Sequence, residues 1–285
     1  MKRRVIKLGN ATLVASLPSR WVKEQGISAG EELEASINGG DLTLTAKGIL
    51  PPTKREVSIE GKGQFMERLI HTPYRFGVDE LTIRYADSAV VELVRGALEK
   101  LLGFEIVEQG EGRIIIRNVA EGMEDQFEQL LSRCFLIILD MAKTLADGKP
   151  DAAVTLGSLE KTLNKLTNFC ERLINKGKID DRNRSHFLYA LVWSLEDIAD
   201  EVEGLGKIAR KPIHRASLSR FASLFHEFSA CYRSPRREAL LSLRRSLQGF
   251  IKETEARLAK DPAVFCTLLS LSKRMHHLSL SFQDY

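Results

Sequence analysis

Five carboxylates, Glu196, Asp197, Asp200, Glu201 and Glu203, fall within eight residues, and no lysine or arginine lies between His186 and Gly206. On a helix, Glu196 and Asp200 stand one turn apart, as do Asp197 and Glu201. Like charges so placed cost about 0.2–0.5 kcal/mol per pair in an isolated helix, so the cluster predicts a compensating cation nearby. A divalent or iron-type metal ion would serve, because carboxylates are hard oxygen ligands. Basic helices from residues 205–260, which carry 13 bases and 4 acids, would serve equally. A second concentration of charge opens the chain. Met1 to Lys23 holds six bases (Lys2, Arg3, Arg4, Lys7, Arg20 and Lys23) and no acid. Such a stretch suits a phosphate backbone, which binds cations with counterion release. Ordinary solvated strand ends are the alternative.

The elements that must hold these groups read differently along the chain. In residues 1–50 the pattern predicts a strand over Arg4 to Leu8, a turn at Gly9-Asn10 and a strand over Thr12 to Leu17. Pro18 and Gly26 bracket a short helix, and strands near 31–37 and 42–46 flank the hairpin signal Asn38-Gly39-Gly40-Asp41. A unit this small without disulfides buries too little on its own, so dimerisation is expected on size. Pro51-Pro52 marks a linker. Residues 53–120 alternate helix (Gln64 to Phe76, distorted at Pro73; Ser88 to Leu102) and strand (Glu80 to Tyr85, Phe104 to Val107, Arg113 to Arg117). They form a small α+β unit, a spacer or ligand-sensing module.

From Glu121 onward six helices are expected, near 123–147, 151–176, 182–209, 217–233, 236–260 and 262–283. In the third, Leu188, Leu191, Leu195, Ile198, Val202 and Leu205 advance by three and four residues, the seam of a helical bundle. Six helices in two sets suggest a duplicated three-helix bundle.

Composition bounds the function. The 285 residues are 44% hydrophobic and 28% charged with a net charge of +4, which excludes collagen-like and disordered classes. The longest dense apolar run, Phe135 to Leu139, is too short to span a bilayer, so a cytoplasmic protein without membrane insertion is expected. Cys134, Cys170, Cys231 and Cys266 show no CxxC pair and fall in apolar helical stretches, predicting buried reduced thiols. No P-loop and no nucleophile elbow is present, and His226-Glu227-Phe228-Ser229-Ala230 lacks the second histidine of a zinc-protease motif. A carboxylate–metal hydrolase would lack an identifiable nucleophile, so no enzyme is expected. Trp21 and Trp193 are expected to pack. The arginines 233, 236, 237, 244 and 245 suit an anionic partner, a solvated face or pairing with the acidic helix.

Two resemblances connect these parts. The stretch VIKLGNATLVASLPSRWVKEQGISAGEELEASINGGDLTLTAKG, with its KLGN turn, LVASLPSRWV helix start and GISAGEEL segment, resembles the SpoVT/AbrB domain, the swapped-hairpin family that includes antitoxins of the MazE type. That resemblance implies an interleaved homodimer that binds DNA, with Arg3, Arg4, Lys7, Arg20 and Lys23 as the contacting residues. The helix order and WSLEDIADEVEGLG resemble the PhoU family of phosphate-transport regulators, whose paired three-helix bundles carry an acidic E-x-x-x-D motif that binds multinuclear metal clusters. Glu196 and Asp200 match that motif and are implied as metal ligands, with Asp197 and Glu201 as neighbours. The second repeat departs from it, since Lys273, Arg274, His276 and His277 stand where acids belong.

Together the resemblances imply a multidomain α+β protein similar to archaeal PhoU-like regulators. Its parts would be a swapped-hairpin domain over 1–50, a small α+β domain over 51–120 and a PhoU-like domain of two three-helix bundles over 121–285. The expected function is regulation of phosphate uptake through DNA, with phosphate transporter components or a sensor kinase as further partners. The alternative is an adaptor whose first domain only dimerises.

Overall fold

The computed structural model describes residues 2–38, 40–46, 53–59, 66–120, 126–149, 151–177, 179, 182–209 and 211–282. Pro51 and Pro52, Gly39 of the hairpin signal, the helix start at Gln64, the segment 121–125 and the breaks at Pro150, Lys178 and Arg210 lie outside these residues. The protein is mixed α+β and mostly helical, with a small β-rich amino-terminal region. Its contacts divide into two units, Met1–Pro52 and Thr53–Tyr285. The α+β segment therefore belongs to the same compact unit as the helices. Among the described residues no helix is long and apolar enough to cross a membrane.

The first unit consists of two hairpins and a short helix. Strand β1 (Val5–Leu8) pairs antiparallel with β2 (Thr12–Ala15), Val5 opposite Ala15 and Leu8 opposite Thr12. Helix α1 (Ser19–Glu24) starts directly after Pro18, whose fixed φ suits a helix start. Strand β3 (Leu33–Asn38) pairs with β4 (Asp41–Ala46), bringing Ile37 opposite Leu42. Each hairpin forms a sheet of its own.

In the second unit a four-stranded sheet has the order β5-β6-β8-β7, formed by β5 (Lys54–Ile59), β6 (Glu80–Tyr85), β7 (Phe104–Gly110) and β8 (Arg113–Asn118). β5 was not expected. Its three charged residues, Lys54 to Glu56, are followed by only two apolar ones, Val57 and Ile59, too weak a period-two signal, and it is held by parallel pairing to β6 at the sheet edge. Helices α2 (Met66–Arg75) and α3 (Val90–Leu98) pack on one another. Their buried residues Ile70, Tyr74, Val90 and Val94 share one core with Leu81, Ile83, Ile114 and Ile116 of the sheet.

The turn into β7 requires glycine. Gly103 has φ +76°, and a Cβ there would lie 2.3 Å from the Ala120 Cβ and 3.1 Å from its backbone nitrogen. Left-handed strain is worth about 1–2 kcal/mol and overpacking about 1–3 kcal/mol, so Gly103→Ala should destabilise the second unit by about 2–5 kcal/mol in a denaturant titration.

The remaining helices are α4 (Phe127–Asp147), α5 (Ala152–Asn175), α6 (Arg182–Ile208), α7 (Pro212–Arg233), α8 (Arg237–Glu255) and α9 (Pro262–Ser279), with a 3-10 turn at Leu258–Lys260. α7 begins five residues before the expected position 217. Pro212 was read as part of a break, yet proline at a first helical position loses no hydrogen bond that the helix could make. The six seam residues of α6 are all fully buried. α4, α5 and α6 pack on one another, as do α7, α8 and α9, and contacts of α4 with α7 and of α6 with α9 join the sets. Phe135 of α4 stacks on Tyr232 of α7 with ring centroids 4.8 Å apart. Cys134, Cys170 and Cys231 are buried, but Cys266 is exposed, because the helical period turns it away from its buried neighbour Phe265.

Candidate functional site

The amino-terminal cations sit on strands that bury nothing. Every residue from Lys2 to Ser16 is exposed, and none from Lys2 to Ala46 whose burial is described is buried. Val5 is 64%, Leu13 69% and Ile37 80% exposed. Apolar residues occur on both faces of the β1–β2 ribbon, with Lys7 opposite Leu13 and Ile6 opposite Val14. A lone two-stranded hairpin is marginal in water, so these ribbons lack the apolar cover that would hold them. Arg3, Arg4, Lys7 and Lys23 are exposed, with no carboxylate partner among the described residues. Arg20 differs: its Nε donates to Glu24 Oε1 at 2.7 Å, one turn along α1, which offsets part of its charge. Trp21 is half-buried.

The carboxylates of α6 separate into two directions. Successive residues on a helix diverge by about 100°, so the Glu196–Asp200 stripe and the Asp197–Glu201 stripe meet different neighbours. Asp197 and Glu201 both pair with Arg274 of α9, Glu201 Oε1 lying 3.1 Å from Arg274 Nη2 and accepting a further bond from Ser270 Oγ at 3.0 Å. Glu203 pairs with Lys207 at 2.8 Å. Glu196 faces Arg75 of α2, Oε1 to Nη2 at 3.5 Å.

Arg75 also reaches Glu171 of α5 at 3.5 Å and donates to Asn168 Oδ1 at 2.6 Å, while the Tyr189 hydroxyl donates to Glu171 Oε2 at 3.3 Å. One half-buried guanidinium is thus shared by two carboxyls, of which Glu171 is the more deeply buried.

Burial therefore dominates the electrostatics here. It pushes the Glu196 carboxyl up to about 7, against the pull of Arg75 and with help from Glu171, Asp200 and Asp197. Asp200, although exposed, is raised by partial desolvation and by Glu160, Asp197 and Glu203, with Lys100 opposing, and it has no ion pair among the described residues. Glu171 is likewise raised by burial. The Glu196 carboxyl lies above its ordinary 4.5, so its stabilising share is complete below about 4.5 and lost as pH rises through about 7. Glu196→Gln should remove that loss. At about pH 8 the variant should be more stable than the natural chain by about 2–3 kcal/mol, and at about pH 4 nearly equal to it, in urea titrations. An equal difference at both values would contradict the burial of a charge-averse carboxyl.

These residues do not fit the metal cluster that the family resemblance implies. Among the described residues no group of three His, Cys, Asp or Glu side chains is placed to hold a metal ion. Glu196 faces one guanidinium, and Asp197 and Glu201 face another. The compensating cations are protein side chains, as the charge pattern allowed, but they come chiefly from α2 and α9 rather than from residues 205–260. Arg274 is one of the residues standing where the PhoU resemblance called for acids.

The arginines of 233–245 do not meet the acidic helix: Arg233, Arg244 and Arg245 donate to the carbonyls of Ser229, Ser279 and Leu241. Trp193, expected to pack, is 59% exposed.

Sequence reasoning passed over the joint between α5 and the α+β segment. Arg172 is fully buried; it donates to the carbonyls of Tyr74 at 3.0 Å and Val78 at 2.7 Å and to Asp79 Oδ1 at 2.5 Å. Its guanidinium lies 5.2 Å from the Tyr74 ring centroid and 5.5 Å from that of Phe104. Burial opposes ionisation of Asp79, but Lys176, the Thr53 amide and Arg172 hold its carboxyl below the usual value. The available signal was an adjacent pair of charges, Glu171 and Arg172, flanked by Phe169, Cys170, Leu173 and Ile174, without any local sign of which residues they would meet.

No family model, curated protein or solved structure matches the chain. Function is therefore argued from the residues themselves.

Proposed function

We propose that this protein is a homodimeric, DNA-binding regulator of phosphate uptake. One observation carries the reading: the amino-terminal ribbons expose Val5, Ile6, Leu13, Ile37 and Leu42 while presenting Arg3, Arg4 and Lys7 without carboxylate partners among the described residues. A second copy supplies the missing apolar cover by interleaving its hairpins, as in the SpoVT/AbrB family that the sequence resembles. Pairing doubles the cations and gives a face that a nucleic-acid backbone neutralises. The helices of the second unit, read as two PhoU-like three-helix bundles, then serve as the sensing and partner-binding part, toward phosphate transporter components or a sensor kinase.

The test is fluorescence anisotropy with duplexes from promoters of phosphate-transport genes across a salt series, alongside sedimentation. A dimer whose affinity falls steeply with salt is expected. A monomer, or no binding at low salt, removes the reading. An adaptor without DNA binding is the second reading, favoured by the exposed Trp193 and by Arg236 and Arg237, which have no carboxylate partner among the described residues. It predicts the dimer without the affinity.

A further inference from the structure

Where the carboxyl ends of α4 and α6 meet the amino ends of α5 and α7, the second unit holds an open cleft of about 470 Å³. Its floor is apolar, with Leu145 and Leu218 almost fully buried. The backbone forms much of the rest, because Gly148 and Gly206 contribute no side chain. At Gly206 a Cβ would come within 2.4 Å of the Leu156 Cδ1, so any other residue there would require the Leu156 side chain to move. Around the mouth stand Lys149, Lys211 and Arg215, and among the described lining residues there is no carboxylate.

The three cations are not equally committed. Lys211 Nζ pairs with Asp261 Oδ2 at 2.8 Å, and Lys149 Nζ lies a loose 3.9 Å from Asp147 Oδ2. Arg215 has no carboxylate partner among the described residues; its Nη2 donates to the Asp147 carbonyl at 3.2 Å. That bond fixes the guanidinium over the end of α4, where a Cβ on Gly148 would lie 3.7 Å from Nη2. An arginine so anchored keeps four of its five N–H donors for another acceptor, and a planar fork matches two phosphate oxygens. Helix dipoles decide nothing here, because two amino ends and two carboxyl ends oppose one another.

We propose that this cleft binds a small phosphorylated molecule, its phosphate held by Arg215 and Lys149 and its carbon skeleton lying over Leu145 and Leu218. The volume falls within the range of small-molecule pockets, about 300–1,000 Å³, and exceeds what a bare oxyanion needs. Apolar floor and cationic rim together match a molecule with one anionic end. The inference does not require the DNA-binding reading, and each stands or falls on a separate measurement.

Isothermal titration calorimetry of the full chain with glucose 6-phosphate, inorganic phosphate and glucose tests it. Saturable binding of glucose 6-phosphate is expected, weaker binding of inorganic phosphate, and none of glucose. Arg215→Gln should weaken the sugar phosphate about tenfold or more, since a charge-assisted bidentate contact is lost. Ala153→Glu, which places a carboxylate in the wall, should abolish binding while the thermal transition stays in place. Absence of saturation by both phosphate probes up to roughly 10 mM overturns the proposal, as does an affinity that neither variant changes. Inorganic phosphate binding more tightly than the sugar phosphate overturns the assignment of the apolar floor.

Discussion

On the proposed reading, changing Arg3, Arg4 and Lys7 all to alanine should lower DNA affinity about a thousandfold or more at ~0.1 M salt while the dimer persists. Three cations per protomer become six on a two-fold assembly, and each neutralised phosphate contributes roughly 0.9 to the slope of log K against log salt. The slope should therefore flatten by about 5, a change that non-specific damage to the fold does not mimic. All three side chains are exposed and lack carboxylate partners among the described residues, so sedimentation should be unaltered. Arg20→Ala should matter less, because Glu24 already offsets its charge at 2.7 Å. Unchanged DNA affinity in the triple variant would move the DNA contact away from these cations, whereas an adaptor that only dimerises predicts no affinity in either protein.

Arg172→Met should lower the stability of the second unit by about 3–5 kcal/mol, read from the urea midpoint of the full chain. The loss has three sources. The Val78 carbonyl loses its buried donor, worth about 1–3 kcal/mol when left unsatisfied, while the Tyr74 carbonyl loses one of two donors and keeps the Gly77 amide at 2.9 Å. Asp79 keeps Lys176 at 2.7 Å but loses the nearer guanidinium. The contacts with the Tyr74 and Phe104 rings also disappear. Methionine fills much of the volume, so a cavity is not the main cause. Arg172→Lys should recover only part of the loss, since an ammonium on a flexible stem does not reproduce the planar fork. A variant within about 0.5 kcal/mol of the natural chain would show that this joint contributes little to stability.

Local periodicity made most of the helical half legible. The α6 seam needs only its own residues to specify which face is buried, and all six of its members are. Helix ends were readable where a glycine or proline acts on its own backbone, as at Gly148 after α4 and Pro262 opening α9. The same residues misled where two meanings compete, since Pro212 starts α7 rather than ending a loop. β5 escaped because an edge strand with two apolar residues is recognised by its partner β6, not by its own pattern.

The acidic site divides along the same line. Charge density in 196–203 required a cation, and like-charge repulsion on one helix is a local matter that the sequence states by itself. Which cation answers is not local. Arg75 and Arg274 reach α6 from helices distant in the chain, and only packing of α2 and α9 against the bundle brings their guanidiniums within 3.5 Å of Glu196 and Glu201. Burial at that joint, not residue type, lifts the Glu196 carboxyl to about 7. Sequence alone thus determined the secondary structure periods, the segregated charge and the undersized amino-terminal unit. Tertiary structure decided the pairing of every buried ion, because the free energy of a charge depends on neighbours that the chain supplies only after it has folded.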